Sequence, residues 1–311
     1  MSLQRAIEVA VTAAGRAHPK PTVGAVLVAG GRIVGEGATE ERGRHGEIVA
    51  LAAARDRARG ATLYVTMEPC AHHGSTPPCT EAIVAAGVTK VVAGSLDPNP
   101  LAAGGLERLR AAGVEVELVD SWEARRSNEA WRRWVASGRP FVTYKVAATL
   151  DGRVTVPGSR WVSGESSRRL VHELRAASDA VAVGMGTVRL ENPRLDARDV
   201  SATQQPRRLA FGNGPLPASS ELELRSGPLE EELRSLAADG VQSLLLEGGP
   251  TLAGAFLRAD LVDKLLLFVA ATLVGEGPGL LDRLDAPRPL SRLTTSQVGD
   301  DVLLEAYLRE P

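Results

Sequence analysis

Apolar positions along this chain repeat in two rhythms that take turns. Ala6, Val9, Ala10 and Ala13 recur at helical spacing and predict a first helix running to about Arg16. Residues 23–28 and 32–36 flank Gly30-Gly31, and two glycines accept the positive φ of a tight turn, so this stretch predicts a β-hairpin. A helical pattern over 46–59 stops at Gly60, and 61–66 reads as a buried strand. Helix 79–86, strand 90–94, helix 106–112 and strand 114–119 follow, several of the helices closed by a glycine. That alternation predicts a layered α/β domain. Residues 121–138 are polar and carry Trp122, Trp131 and Trp134. They read as a connecting helix whose arginines, Arg125, Arg126, Arg132 and Arg133, lie on a solvated face. Ser137-Gly138-Arg139-Pro140 marks a boundary, giving domains 1–138 and 139–311.

A second α/β pattern follows: strand 141–148, helix 166–177, strand 180–183, a weaker strand 207–211, helix 229–238, strand 243–246, helix 251–258, strand 264–269 and strand 302–308. The stretch 195–227, rich in Pro, Gly, Ser and Arg, is the least readable part. No internal repeat is visible.

Composition narrows the function. Hydrophobic residues make up 44% of the 311, which suits globular domains, but aromatics are only 4%, so Val, Leu and Ala must build the cores. A net charge of −2 gives no basic track for nucleic acid or an anionic membrane. No apolar run approaches the ~20 residues that span a bilayer. Glu8 interrupts the apolar start, which reads as an amphipathic helix and not as a secretory signal. Two cysteines are no disulfide framework, so a reducing cytoplasm is the expected compartment.

The two cysteines point to a metal. His45-Gly46-Glu47 opens a helix, Pro69-Cys70 follows a strand, and Cys79 opens the next helix after Pro77-Pro78. One imidazole and two thiolates suit Zn²⁺, and three protein ligands leave a fourth position open for catalysis. Glu47, two residues after His45, can face a water and shuttle protons, as in zinc deaminases acting on aminopyrimidines. The competing reading is a closed structural site with His72 or His73 as fourth ligand, or two buried thiols beside an unrelated histidine. His18 reads as a loop residue.

The second half carries two glycine-rich turns after strands, in 243–254 (SLLLEGGPTLAG) and at Gly184-Met185-Gly186-Thr187. Pro250 suits a first helical turn, whose free N–H groups can hold phosphate. Neither turn is a Gly-x-Gly-x-x-Gly fingerprint, so a Rossmann domain is not indicated. Together they suggest a ligand crevice at the strand ends.

The segment 68–79, EPCAHHGSTPPC, separates its cysteines by eight residues where other deaminases use two. With 21–26 (PTVGAV), 96–100 (LDPNP), 145–153 (KVAATLDGR), 159–163 (SRWVS), 174–176 (LRA), 183–188 (VGMGTV) and 247–253 (EGGPTLA), it resembles the bifunctional riboflavin-biosynthesis deaminase/reductases along nearly the whole chain. The resemblance implies a cytidine-deaminase-like three-layer domain followed by a dihydrofolate-reductase-like open sheet, often the homo-oligomer contact. It implies zinc-dependent deamination of a 2,5-diamino-6-ribosylamino-pyrimidinone 5′-phosphate, then reduction of the ribosyl ring to ribityl by NADPH. Substrate contacts would fall to Ser159, Arg175, Leu195, Arg198 and Glu247. Cofactor contacts would fall to Ala148, Trp161, Thr187, Glu191 and the turn Gly249-Pro250-Thr251. Lys145 and Asp151 could orient the ribose or aid proton transfer. Departures from the family pattern are Gly46 for its alanine, tolerated at some expense of helix stability, Lys20 for the asparagine between two prolines, Glu191-Asn192 for an acidic pair, and Gly212-Asn213 for Asp-Ser. An alternative keeps the deaminase and makes the C-terminal half a binding or assembly module.

Overall fold

In the first half, α1 (Ser2–Val11) is followed by the hairpin β1 (Gly24–Ala29) and β2 (Arg32–Ala38). Then come α2 (Gly46–Ala54) with a 3₁₀ turn over Arg55–Ala58, β3 (Thr62–Val65), α3 (Cys79–Ala85), β4 (Lys90–Ala93), α4 (Gly105–Ala111) and β5 (Glu115–Leu118). Two short helices, α5 (Trp122–Arg126) and α6 (Glu129–Ser137), close it. The second half runs β6 (Phe141–Thr149), α7 (Glu165–Ala176), β7 (Ala180–Gly184), α8 (Met185–Glu191), β8 (Arg207–Phe211), β9 (Glu223–Arg225) and α9 (Leu229–Ala238). It ends with β10 (Ser243–Leu246), α10 (Pro250–Arg258), β11 (Lys264–Ala270), β12 (Ser291–Val298) and β13 (Asp301–Tyr307). This computed structural model describes every residue except Met1, Arg42, Gly74, Ser75, Thr76 and Thr203. It falls into two compact units, residues 1–137 and 138–310.

The first sheet has the order β2-β1-β3-β4-β5, with β1 antiparallel to both neighbours and β3, β4 and β5 parallel. Side chains of β1 alternate between two helical layers. Ala25 and Leu27 join the core beneath α2, α3 and α4, whereas Val26 packs with Ala6 and Val9 of α1. This makes three layers, and the alternation explains why β1 is apolar at every position. Helix α2 lies very close to the hairpin. A Cβ on Gly35 would meet the Ala50 carbonyl, and one on Gly46 would meet the Val23 carbonyl. Gly46 is therefore a packing requirement of this chain, which reverses the expectation drawn from helix propensity alone.

The second sheet has the order β12-β13-β11-β6-β10-β7-β8-β9. Strands β11, β6, β10, β7, β8 and β9 pair parallel, and β13 and β12 add antiparallel at one edge. Two cores flank it, as the period of two requires. Ala180, Ala182, Leu244 and Leu246 pack against Leu233 of α9 and Phe256 of α10; Val181, Val183 and Leu245 pack against Met185 and Val188 of α8. Phe256 also meets Phe211 edge-on, their ring centres 5.4 Å apart. The carboxyl ends of β6, β10, β7 and β8 share one edge of the sheet.

Several elements depart from the sequence expectation. The first helix ends at Val11. The connecting helix breaks at Asn128, whose side-chain amide is diverted to Thr22: it donates to the Thr22 carbonyl at 2.9 Å and accepts from the Thr22 N–H at 2.7 Å. Arg125, Arg132 and Arg133 do not lie on a solvated face. All three are half-buried, only Arg126 is exposed, and Arg132 donates to the Leu96 carbonyl at 2.8 Å. Helix α8 and strands β9 and β12 stand where no element was read. Among the described residues no helix is long and apolar enough to cross a membrane.

Candidate metal centre and a second charged cluster

His45 caps the start of α2, with φ −72° and ψ 150°, and its side chain makes no capping bond. The ring turns instead toward the sulfurs: Nδ1 lies 3.2 Å from the Cys79 Sγ and 3.6 Å from the Cys70 Sγ. Cys79 is the first residue of α3, and its free backbone N–H donates to the Cys70 Sγ at 3.4 Å. The three donor atoms lie within 4.8 Å of one another. A tetrahedral zinc ion with ordinary Zn–N and Zn–S bonds would set N···S at about 3.6 Å, so the donor set fits that ion by chemistry and by spacing. Among the described residues no fourth metal-binding side chain joins the cluster. His73 is exposed and faces Glu81 at 3.8 Å, and His72 lines the adjoining cavity. Gly74, Ser75 and Thr76 of the motif lie outside the described residues.

The electrostatics favour thiolate at Cys70. Hydrogen bonding from Cys79 is the main influence that holds the Cys70 thiol down, to about 4, and His45 and the α3 amide add to it. Cys79 is pushed up by that same bond and by burial. The hydrogen bond to Cys70 raises His45. Glu47 is buried, and loss of water raises its carboxyl above the ordinary range. Its Oε2 has no hydrogen-bond partner. A buried orphan oxygen is rare and points to a reacting group that the protein does not itself provide.

Beside the triad lies a cavity of about 300 Å³, at the small end of ligand sites. Glu47, Asp97, Asn99, Lys20 and Trp131 are among its walls. Glu68 and Asp97 were not singled out from sequence. Buried Glu68 accepts from the Gly104 and Leu106 N–H groups at 3.1 and 3.0 Å and from Asp97 N–H at 3.3 Å. Burial lifts Asp97 to about 6. The LDPNP segment quoted above was the available signal for Asp97.

In the second unit a charged cluster forms around Glu247, which immediately follows β10. Arg175 of α7 donates to both its oxygens, at 2.6 and 3.0 Å, and the Lys145 ammonium of β6 stands 3.6 Å away. Burial raises the Glu247 carboxyl, but Lys145 and Arg175 outweigh it and the net shift is downward. Arg175 also donates to the Asp196 carbonyl at 3.2 Å, and Arg198 pairs with the Asp196 carboxylate at 2.6 Å. The preceding residue, Leu195, is buried among Val181, Val183 and Met185, with φ at +53°. Lys145, Arg175, Glu247 and the 195–198 segment are thus brought together. Ala148 is buried near the end of β6, and Thr187 and exposed Glu191 lie on α8. Trp161 is 47% exposed, with Arg160 and Arg168 stacked 4.8 and 5.3 Å from its ring, and Ser159 donates to the Trp161 carbonyl at 2.8 Å. Asp151 is engaged elsewhere. It accepts from Thr149 at 2.6 Å and from the Gly275 N–H at 2.7 Å, and these bonds hold its carboxyl down, to about 2.

Gly249 caps α10 with no side-chain bond, and a Cβ built on Gly186 or Gly249 would meet nothing within 4 Å. Those backbones border open space that a phosphate can approach.

A three-layer α/β unit with one histidine, two cysteines and a buried glutamate, joined in one chain to an open, largely parallel sheet with a charged cluster at its strand ends, has the make-up of a zinc-dependent deaminase fused to a reductase. Comparison with known proteins agrees half by half. The cytidine and deoxycytidylate deaminase zinc-binding region matches residues 1–95, and the RibD C-terminal domain matches residues 140–304. The riboflavin biosynthesis protein RibD of Mycobacterium tuberculosis is 41% identical over 98% of this chain and 96% of its own length. Among solved structures, RibD of Acinetobacter baumannii shares 33% identity at a TM-score of 0.85, covering 98% of this chain and 97% of that one. A diaminohydroxyphosphoribosylaminopyrimidine deaminase/5-amino-6-(5-phosphoribosylamino)uracil reductase from Thermotoga maritima shares 33% identity at a TM-score of 0.84, with the same coverage. The chain belongs to the RibD family of bifunctional deaminase/reductases of riboflavin biosynthesis.

Proposed function

We propose that residues 1–138 deaminate a 2,5-diamino-6-ribosylamino-pyrimidinone 5′-phosphate and that residues 139–311 then reduce its ribosyl group to ribityl with NADPH. The observation that carries the first step is the unpartnered Glu47 Oε2, buried beside His45, Cys70 and Cys79 at the cavity wall. His45 Nδ1 and the two sulfurs would hold zinc, which supplies a Lewis acid that turns water into a nucleophile near neutral pH. Glu47 takes the proton that the water loses as it adds to the amino-bearing ring carbon. It passes that proton to a ring nitrogen, then takes the remaining proton of the added hydroxyl and gives it to the departing amino group, so that C–NH₂ and water become C=O and NH₃. Burial keeps the Glu47 carboxyl basic enough for both transfers.

In the second step NADPH supplies the hydride. Arg175 and Arg198 bind the substrate phosphate, Ser159 and Leu195 contact the substrate, and Glu247 fixes Arg175 and holds Lys145 against the sugar. Ala148, Trp161, Thr187, Glu191 and the turn Gly249-Pro250-Thr251 hold the cofactor. Asp151 orients the rim by tying Thr149 to residues 274–275. The cytoplasm suits a site that needs both thiols reduced. A homo-oligomer through the second unit is part of the same reading, with β12 as the sheet's terminal strand and Leu293 exposed on it.

The test is incubation of the protein with the pyrimidine phosphate, with and without NADPH, followed by mass analysis. Replacement of an amino group by oxygen without NADPH, and gain of two hydrogens only with it, are the expected products. Glu47→Gln should keep its zinc and lose deamination. Unchanged deamination in that variant would remove Glu47 from the mechanism, and deamination without NADPH oxidation would reduce the second unit to a binding module.

A further inference from the structure

The charge around the deaminase cavity is wrong for an anion, with one exception. Glu47, Glu68 and Asp97 all line it. Two thiolates and an imidazole bring a divalent ion only to neutrality. The substrate proposed above carries a phosphate, and three carboxylates around one cavity repel it unless a fixed cation answers them. Among the described residues that line the cavity, Lys20 is the single lysine or arginine.

Its position is built. Pro19 and Pro21 restrict the backbone on either side. The next residue, Thr22, is held by the two-point bond to Asn128. Lys20 Nζ lies 3.5 Å from the Gly43 carbonyl, the outer limit of a hydrogen bond, and among the described residues it makes no ion pair. An ammonium has three donors, so most of its capacity faces outward. The bland role is a tether for residue 43, but one long hydrogen bond from an exposed side chain contributes little to folding.

From this placement we infer that Lys20 is a specificity-determining residue of the deaminase step, binding the 5′-phosphate of the substrate through its ammonium at the cavity wall. The inference rests on the phosphorylated-pyrimidine reading. A charge-assisted hydrogen bond to phosphate is worth on the order of a tenfold to hundredfold change in affinity.

The test compares Lys20→Gln and Lys20→Arg with the parent enzyme, using the pyrimidine riboside with and without its phosphate. Lys20→Gln should raise KM for the phosphorylated substrate at least about tenfold, leave its kcat within about twofold, and leave the unphosphorylated riboside unchanged. Lys20→Arg should restore most of the loss. Equal losses on both substrates, or no change on either, overturn the assignment. Inorganic phosphate binding to the zinc-loaded protein, measured by calorimetry at low and high salt, decides independently of turnover. Binding that weakens in Lys20→Gln supports the site even if the parent deaminates nothing, in which case the substrate reading fails and the anion site stands. Equal phosphate affinity in the parent and Lys20→Gln overturns it.

Discussion

Arg175 and Glu247 meet fork to fork, 72 positions apart in sequence, with both carboxylate oxygens engaged by one guanidinium at 2.6 and 3.0 Å. Both side chains are largely out of water, at 13% and 9% exposure, so neither charge can be left alone cheaply. Glu247→Gln strands Arg175 and the Lys145 ammonium beside it. We expect a loss of about 3 kcal/mol in the stability of the second unit, seen as a lower urea midpoint for that unit, together with lost NADPH-dependent reduction. Deamination should persist. An unchanged midpoint would mean that water already screens the pair.

Cys70→Ser or Cys79→Ser should drop zinc from about one ion per chain to near zero and abolish deamination. NADPH binding by the second unit should remain, because that unit has its own cores. Zinc retained at full stoichiometry in either variant would remove that cysteine from the ligand set.

Much of this was legible beforehand for a physical reason. Strands such as 180–184 and 243–246 are buried on both faces, and continuous apolar runs between glycine or polar breaks betray them. The metal triad was legible because its ligands stand at strand-to-helix junctions. Strand β12 was not legible because it is exposed at nearly every position and has no apolar alternation to detect. Helix α8 buries only Met185 and Val188, too few to show a period. Asp97 escaped notice because its role is set by Glu68, 29 residues away, and by burial, neither of which a local pattern records.

Gly46→Ala tests whether packing overrides propensity. Alanine favours helix by about 1 kcal/mol, yet its Cβ would fall on the Val23 carbonyl. Overpacking of this kind typically costs about 1–3 kcal/mol, and backbone is the hardest partner to move. A net loss of about 1–2 kcal/mol in the first unit is expected by thermal denaturation, with weakened zinc retention because His45 is the adjacent residue. A stabilised variant would show that α2 can slide.

Asp97 predicts a pH effect with a definite sign. Burial lifts its carboxyl to about 6 from an ordinary value of 3.8, so the unfolded chain releases the proton first. Its contribution is most favourable below about pH 4 and is lost as pH rises to 6. Relative to the parent, Asp97→Asn should therefore gain stability between pH 4.5 and 7, by up to about 2 kcal/mol after allowance for water at the cavity. Denaturant midpoints at the two pH values check this, and parallel shifts in both proteins would refute it.

Asp263 accepts from Arg139 at 2.7 and 2.8 Å and from the Val142 N–H at 2.9 Å, with no exposure to water. Asp263→Ala leaves a buried cation unpaired at the start of β6 and should cost about 3–5 kcal/mol. Differential scanning calorimetry of the intact chain should show the loss in the second unit's transition, and a loss below about 1 kcal/mol would mean that Arg139 finds water.

Glu68 sits two residues before a metal ligand and takes its hydrogen bonds from the first turn of α4 and from the Asp97 loop. The Pro69 carbonyl occupies the place of a side chain at Gly105. The segment at 68–69 and the loop and helix start at 97–106, about 30 residues further on, are thereby locked into one wall before any guest arrives. The entropy of shaping the pyrimidine's berth is settled during folding, so binding energy is left for chemistry and for choosing among substrates.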